Sequence, residues 1–115
     1  MHELGIVFHV IDEVKRIAEE NDVSRVLSVT VGIGEVSLVI PSYFEDCWKW
    51  AAGKQELLRD AAIVMETLPA VTRCLDCGQT YPTVKHGKIC PFCGSGRTVL
   101  ESGNEFILKE IRAAD

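Results

Sequence analysis

Apolar residues near the start of the chain recur at the spacing of an amphipathic helix. They lie three or four residues apart, with charged residues on the intervening faces, at Leu4, Val7, Ile11, Val14 and Ala18. This period places one apolar stripe along a helix. The pattern predicts a helix of about 15 residues that ends near Asn21–Asp22. His9 lies beside the stripe, so we expect it to pack in the core or at its boundary.

Three segments have the pattern of strands. Residues 27–33 alternate between apolar and small or polar side chains, a period of two that is typical of a half-buried strand. Gly32 and Gly34 predict a bulge or a close approach of another segment near the end of this strand. Residues 61–68 and 105–111 are the second and third predicted strands.

A second helix is predicted to start at Pro41–Ser42. Ser42 and Glu45 have the spacing of a capping box, in which a serine hydroxyl accepts a hydrogen bond from the amide three residues later. Trp48 and Trp50 cannot share one face of this helix. We therefore expect one tryptophan in the core and the other to be exposed, where a partner could contact it.

The order of these elements predicts the fold class and the domain organisation. We predict an α+β protein with a small sheet of about three strands and two helices. The cysteine-rich segment falls between the second and third predicted strands, so it is an inserted four-cysteine zinc-ribbon subdomain. The predicted body comprises residues 1–70 and 102–115, and the predicted ribbon comprises residues 71–101.

Composition and charge narrow the class of protein. The length of 115 residues fits one domain with a subdomain, and an apolar content of 47% excludes a disordered chain. No run approaches the roughly 18 apolar residues of a membrane span. The N-terminus lacks the features of a secretory signal. We expect a cytoplasmic protein without membrane insertion. The formal net charge of −5 argues against nucleic acid as a partner, because phosphate binding needs a basic surface.

Four of the five cysteines form two Cys-x2-Cys pairs, Cys74, Cys77, Cys90 and Cys93. In a reducing cytosol such pairs are typical of metal sites, and Zn(II) accepts four thiolates in tetrahedral geometry. Gly78 and Gly94 follow the second cysteine of each pair and permit a positive φ, which lets nearby amides point at the sulfurs. Because the protein supplies all four ligands, we predict a structural zinc site rather than a catalytic one.

Three alternatives to zinc remain open for these cysteines. They are a disulfide pair, a dithiol redox site and a rubredoxin-like iron site. Redox Cys-x2-Cys motifs usually stand alone at a helix start, whereas neither pair here has a helical flank. Tetrahedral coordination by four sulfurs suits iron as well as zinc. The sequence therefore favours a metal, and zinc as that metal.

The first residues, Met1, His2 and Glu3, can form a second metal site. A histidine at position two is by itself typical of an exposed side chain. However, an α-amino group, a backbone amide and the next imidazole can chelate one ion in adjoining rings, and Ni(II) suits nitrogen donors. The first amides of a helix lack intrahelical partners, so the His2 and Glu3 amides are free to bind metal. This arrangement predicts a nickel site of moderate affinity that exchanges its ion.

Taken together, these motifs resemble the HypA/HybF family of hydrogenase nickel-incorporation proteins. The resemblance rests on the Met-His-Glu start, the Leu-Gly-Ile that follows, the VGIGE stretch over residues 31–35 and the CLDCG and CPFCG knuckles. These features occur in the family's order over essentially the whole chain. Gly5 departs from the pattern, since the family commonly has serine there, and we expect only a small effect on helix entry.

The resemblance implies a nickel metallochaperone, a protein without catalytic activity. It would hold Ni(II) transiently at its N-terminus and deliver it for maturation of [NiFe]-hydrogenase. The implied partners are a HypB-type GTPase and the hydrogenase large subunit. The implied nickel ligands are the Met1 amine and the His2 imidazole, with the His2 amide as a further candidate; Glu3 contributes through its backbone or by steering. The four cysteines hold zinc. Some members use a histidine near the zinc subdomain, for which His86 is the candidate here and an exposed loop side chain the alternative.

Two other functions remain open on the residues alone. Many four-cysteine ribbons are nucleic-acid adaptors. The net negative charge of the chain and the scattered positions of the cations in residues 71–101 argue against this function. A rubredoxin-type electron carrier is the other alternative. The sequence contains neither a glycine-rich phosphate loop nor a nucleophile–base constellation, so any GTP hydrolysis would belong to a partner.

Overall fold

The computed structural model describes residues 2–114 and confirms a mixed α+β fold. Its elements in chain order are α1 (His2–Glu20), β1 (Arg25–Gly34), α2 (Pro41–Ala52), a 3-10 turn (Glu56–Leu58), β2 (Ala62–Leu68), β3 (Val71–Cys74), β4 (Thr80–Pro82), α3 (Thr83–His86), β5 (Thr98–Ser102) and β6 (Phe106–Ala114). The strands form two three-stranded sheets, in the orders β2-β1-β6 and β4-β3-β5. The cysteine-rich segment is inserted between two strands of the first sheet, as predicted.

The described residues divide into two compact units. The first unit contains residues 2–31, 39–66 and 107–114, and the second contains residues 32–38 and 67–106. All four paired cysteines lie in the second unit. The domain boundaries given above, at residues 70/71 and 101/102, stay predictions.

Helix α1 buries its apolar stripe in the first unit. Its 19 residues exceed the predicted length because it begins at His2. The buried side chains include Val7, Val14 and Ala18, which confirms the predicted stripe. The prediction for His9 was wrong: this side chain is exposed, because it points away from the stripe, about 200° around the helix from Val7.

Helix α2 begins two residues earlier than a capping box at Ser42 requires. Ile40 is the N-cap residue, Pro41 occupies the first turn, and no side chain caps the helix from the N-cap position. Proline is preferred at the first helical position because it needs no amide donor there. Ser42 therefore lies inside the first turn, and the predicted cap was wrong. The prediction for the tryptophans is confirmed, since Trp48 is 1% exposed and Trp50 is 55% exposed.

Strand β1 is the central strand of the first sheet. Residues 29–34 are all buried, so its second half is covered on both faces rather than half-buried. Strands β2 and β6 are its two neighbours. Their side chains meet across β1 where the Lys109 ammonium pairs with the Glu66 carboxylate. No helix within residues 2–114 is long and apolar enough to cross a bilayer.

The second unit is built on strand β3, which pairs antiparallel with β4 and β5. The predicted close approach is found at the end of β1. The Gly34 amide donates to the Glu105 carbonyl at 2.7 Å, and a Cβ on Gly34 would overlap the Gly103 carbonyl. Gly103 has a φ of 109° and leaves no room for a Cβ against Ala70. The three chain segments that contain Gly34, Ala70 and Gly103 therefore pack with their backbones in direct contact.

Candidate metal sites

The four paired cysteines come together at the tip of the β4-β3-β5 sheet. Their sulfur atoms all lie within 4.8 Å of one another. The Cys74 and Cys93 sulfurs are 3.6 Å apart, and the Cys77 and Cys90 sulfurs are also 3.6 Å apart. Cys74 and Cys90 are buried, while Cys77 and Cys93 are exposed. The sequence pairs therefore form one cluster rather than two separate sites.

The size of this cluster fits one metal ion. A tetrahedral zinc site with Zn–S bonds of about 2.3 Å has sulfurs separated by about 3.8 Å. The observed sulfur separations of 3.6 Å match this value. They also exceed a disulfide bond of about 2.05 Å, so these cysteines are not joined to one another. Around a tetrahedral metal ion, four protein sulfurs would complete the coordination shell and leave no position for a substrate.

The two cysteine pairs have the same local structure. Gly78 and Gly94 have φ values of 79° and 78°, which confirms the positive φ predicted for both. The Gly78 amide donates to the Cys74 carbonyl at 3.0 Å, and the Gly94 amide donates to the Cys90 carbonyl at 2.9 Å. Each pair thus forms a tight turn that places its two sulfurs on one side.

Backbone amides stabilise one thiolate of the cluster. The Cys77 amide lies 3.5 Å from the Cys74 sulfur and donates to it. This amide, with that of Asp76, outweighs burial and lowers the pKa of Cys74 to about 7. The Phe92 amide similarly donates to the Cys90 sulfur at 3.4 Å. Such donors are the outer contacts that metal-bound thiolates need.

The pKa values of the Cys77 and Cys93 thiols are raised, so these two groups hold their protons more tightly in the absence of a cation. The Ser95 amide lowers the pKa of Cys93, but the neighbouring sulfurs and burial outweigh it and raise the value to about 12. The Gln79 amide acts likewise on Cys77, whose net pKa is nevertheless raised by burial and by the Cys90 sulfur. Four thiolates this close repel one another, so full deprotonation needs a bound cation.

A polar bridge joins the two turns. Asp76, between the first two cysteines, accepts hydrogen bonds from the Ser95 hydroxyl and from the Arg97 guanidinium, the latter at 2.6 Å. The Leu75 amide also donates to the Arg97 carbonyl at 2.8 Å. These contacts connect residues on either side of the cluster and fix the spacing of its halves.

His86 lies near the cluster but is not part of it. Tyr81 packs with the buried Cys74 and Cys90, and the His86 ring meets Tyr81 edge-on at a centroid distance of 5.8 Å. The metal-ligand group found among residues 2–114 contains only the four cysteines. The imidazole is half-buried against an aromatic ring, so it is neither a ligand of this cluster nor a freely solvated loop side chain.

The predicted nickel ligands are only partly visible. Met1 and the side chain of His2 lie outside the described residues. Glu3 is described, and it is 9% exposed. Its Oε2 accepts a hydrogen bond from the Ile40 amide at 3.3 Å, which joins the first turn of α1 to the start of α2. No local pattern predicts this contact, because the two residues are 37 positions apart.

Comparisons with known proteins agree with this arrangement. A family model described as hydrogenase/urease nickel incorporation, metallochaperone, hypA matches residues 1–113. Proteins described as hydrogenase maturation factor HypA from Shewanella halifaxensis and Geobacter metallireducens are each 34% identical over 111 residues. These residues cover 96% of this chain and 96% and 97% of the relatives.

Solved structures show the same fold. The solution structure of the Ni metallochaperone HypA from Helicobacter pylori aligns with a TM-score of 0.73 at 23% identity and covers 96% of both chains. A second solution structure, of a protein described as HypA, aligns with a TM-score of 0.78 at 24% identity, covering 99% of this chain and 97% of the other. The chain therefore shares the fold of these two structures.

Proposed function

Since the chain belongs to the HypA family of nickel-incorporation metallochaperones, we propose that it binds Ni(II) at its N-terminus and delivers the ion for maturation of [NiFe]-hydrogenase. The observation that carries the proposal is the Met-His-Glu start, within a chain that matches the family over residues 1–113. The relatives' description as hydrogenase maturation factors supports hydrogenase as the recipient.

The proposed nickel ligands are nitrogen atoms of the first three residues. The Met1 amine and the His2 imidazole bind the ion, the His2 amide is a further candidate, and the Glu3 amide completes the set. Nitrogen donors and adjoining chelate rings suit Ni(II). The Glu3 carboxylate has a different role: its bond to Ile40 holds the first turn of α1 in place. An open, mainly backbone site releases its ion readily, as delivery requires.

We propose that Cys74, Cys77, Cys90 and Cys93 hold a structural zinc ion. The closed set of four sulfurs supports this role, because it leaves no position for catalysis. A bound zinc would supply the charge that keeps four thiolates together and would fix the turns on either side. The rubredoxin-like alternative is tested by the visible absorption of the purified protein, since iron–thiolate sites are coloured and zinc sites are not.

The proposed partners are a HypB-type GTPase and the large subunit of [NiFe]-hydrogenase. The chain has no glycine-rich phosphate loop, so nucleotide hydrolysis would come from the partner. We place the delivery in the cytoplasm, because a four-thiolate metal site needs a reducing compartment. The protein acts by binding and transfer.

Titration calorimetry with Ni(II) tests the nickel assignment. Untagged, zinc-loaded protein is compared with His2→Ala and with His9→Ala. His9 is the matched control, because it is an exposed histidine on the same helix. We expect His2→Ala to weaken binding at least about a hundredfold, or about 2.7 kcal/mol, and His9→Ala to bind like the native protein. Equal losses in both variants, or none in His2→Ala, would refute the site.

A further inference from the structure

The segment 83–89, formed by α3 and the turn after it, is held firmly by its backbone. We call it the 83–89 loop. The Gly87 amide donates to the Thr83 carbonyl at 2.6 Å, and the Tyr81 hydroxyl donates to the Gly87 carbonyl at 3.0 Å. On the far side, the Thr98 hydroxyl donates to the Lys88 carbonyl at 2.9 Å. The loop is thus fixed between β4 and β5.

The fixed loop rests on the cysteine cluster. Tyr81 packs with Cys74 and Cys90, and the ring of His86 lies edge-on to Tyr81. The inward-facing groups of the loop therefore have partners within the second unit. A surface that is ordered before binding loses little conformational entropy when a partner docks.

The outward-facing side chains of the loop form a basic and apolar surface. Val84 is 64% exposed and Ile89 is 56% exposed. Lys85 and Lys88 are exposed as well, and neither side-chain ammonium has a hydrogen bond or ion pair with any described residue. Within six consecutive residues, two cations thus stand beside two large apolar side chains.

The two arginines of the second unit form ion pairs with carboxylates, whereas Lys85 and Lys88 form none. Residues 32–38 and 67–106 contain four acidic and four basic residues, in a chain whose net charge is −5. Each of the four carboxylates is already held by an amide or an arginine of the same unit: Glu35 by the Ala70 amide, Asp76 by Arg97, Glu101 by Arg73 and Glu105 by the Gly103 amide. None of these four carboxylates forms an ion pair with Lys85 or Lys88.

We propose that the 83–89 loop is a docking surface for an acidic protein segment that carries carboxylates beside a face of apolar side chains. Lys85 and Lys88 meet the carboxylates, and Val84 and Ile89 cover the apolar side chains. Complementary charge steers such a partner and sets its register. Nucleic acid is the poorer fit, because two cations neutralise few phosphates and the loop exposes no aromatic ring for base stacking. The inference does not depend on the nickel site.

A binding assay with a defined peptide tests the proposal. The probe is a fluorescein-labelled amphipathic peptide about four helical turns long, with leucine on one face and glutamate beside it. Its partner is the zinc-loaded full chain, and fluorescence anisotropy measures the affinity. The double variant Lys85→Glu/Lys88→Glu should bind at least about tenfold more weakly. Lys15→Glu/Arg59→Glu makes the same change in net charge on exposed residues of the first unit and should change affinity less than about twofold.

Two further variants separate the loop's surface from its support. Val84→Ser/Ile89→Ser keeps the charges and should weaken peptide binding several-fold. Tyr81→Phe removes only the hydroxyl bond to Gly87 and should weaken binding by loosening the loop. Zinc content, measured for each variant, shows whether the second unit is intact.

Three outcomes would overturn the proposal. The acidic peptide could bind no more tightly than one with lysine in place of glutamate, or the two double charge variants could weaken binding equally. A single-stranded oligonucleotide of similar length that binds more tightly than the peptide, with the same dependence on Lys85 and Lys88, would assign the loop to nucleic acid instead.

Discussion

Glu3 is one of the three residues of the proposed nickel site. Its side chain is charged and buried, and it contacts a residue far away in the sequence. Its carboxylate is 9% exposed and accepts the Ile40 amide at the start of α2. A carboxylate at a helix N-terminus is stabilised by the helix dipole, so the contact favours both helices. Because one carboxylate oxygen is bound in this way, we propose that the side chain contributes to nickel binding by holding the first turn of α1.

Substitution of Glu3 separates this positioning role from direct metal binding. Glu3→Gln keeps an acceptor oxygen, so we expect nickel affinity to change less than about fivefold. Glu3→Ala removes the acceptor and should cost about 1–2 kcal/mol in the free energy of unfolding. Urea unfolding and nickel calorimetry on both variants provide the measurements. A complete loss of nickel binding in Glu3→Gln would show that the carboxylate itself is a ligand.

Gly34 is tightly packed and Gly5 is exposed, so alanine substitutions at these two positions test the packing around single residues. Gly34 has no room for a Cβ against Gly103, so Gly34→Ala should destabilise the protein by about 1–3 kcal/mol or more. Gly5 is exposed in α1 with no atom within 4 Å of an added Cβ, so Gly5→Ala should stabilise the protein by about 0.5–1 kcal/mol. Thermal unfolding of both variants checks the signs. A neutral Gly34→Ala would contradict the close crossing of the three chain segments.

At the scale of elements, the two cysteine turns behave as one acid–base unit. Without metal, the pKa of Cys74 is lowered to about 7, whereas the pKa values of Cys77 and Cys93 are raised. At pH 7 the latter two thiols are therefore protonated, and Cys74 is about half ionised. Zinc must displace these protons, so it binds more tightly as the pH rises and less tightly as it falls.

This linkage predicts the number of protons that leave when zinc binds. At pH 7 we expect at least about two protons per zinc ion, from Cys77 and Cys93, with a further fraction from Cys74. Zinc calorimetry on the metal-free protein, in buffers of different ionisation enthalpy, measures this number. Release of less than one proton would mean that the thiols are already ionised, and the acid–base description of the turns would be wrong.

The elements with a strong local signal could be predicted from the sequence. The apolar stripe from Val7 to Ala18 predicted helix α1, and the alternation over residues 27–33 predicted strand β1. Paired cysteines followed by glycine predicted the turns of the cluster. Each of these signals depends on residues within a few positions of one another, so a period or a spacing is enough to reveal it.

The features that were missed depend on residues far apart in the chain. The Ser42 cap was wrong because Pro41 moves the start of α2, and the Ile40 amide finds its acceptor in Glu3. The bond from the Ala70 amide to Glu35 likewise joins residues 35 positions apart. No periodicity records such contacts. His9 was misplaced for a different reason, since adjacency to an apolar stripe in the sequence does not place a side chain on that face.

At the scale of the whole molecule, the cysteine cluster and the proposed nickel site have opposite properties. The cysteine cluster is closed, and its four sulfurs come from rigid turns within the second unit. The proposed nickel site instead uses the α-amine and an imidazole, groups that compete with protons near neutral pH, with reference pKa values of about 7.7–8.0 and 6.5. Nickel should therefore leave as the pH falls through neutrality, while zinc, held by four thiolates, stays bound to lower pH.

The proposed role of the Met1 α-amine as a nickel ligand is tested by blocking that amine. Nickel affinity is measured by calorimetry for the untagged chain and for the same chain with two residues added before Met1, both zinc-loaded and at mildly alkaline pH. The extension leaves every native side chain in place but converts the amine to an amide. We expect the extended chain to bind Ni(II) at least about tenfold more weakly. Equal affinity in the two proteins would contradict nickel binding at the N-terminus.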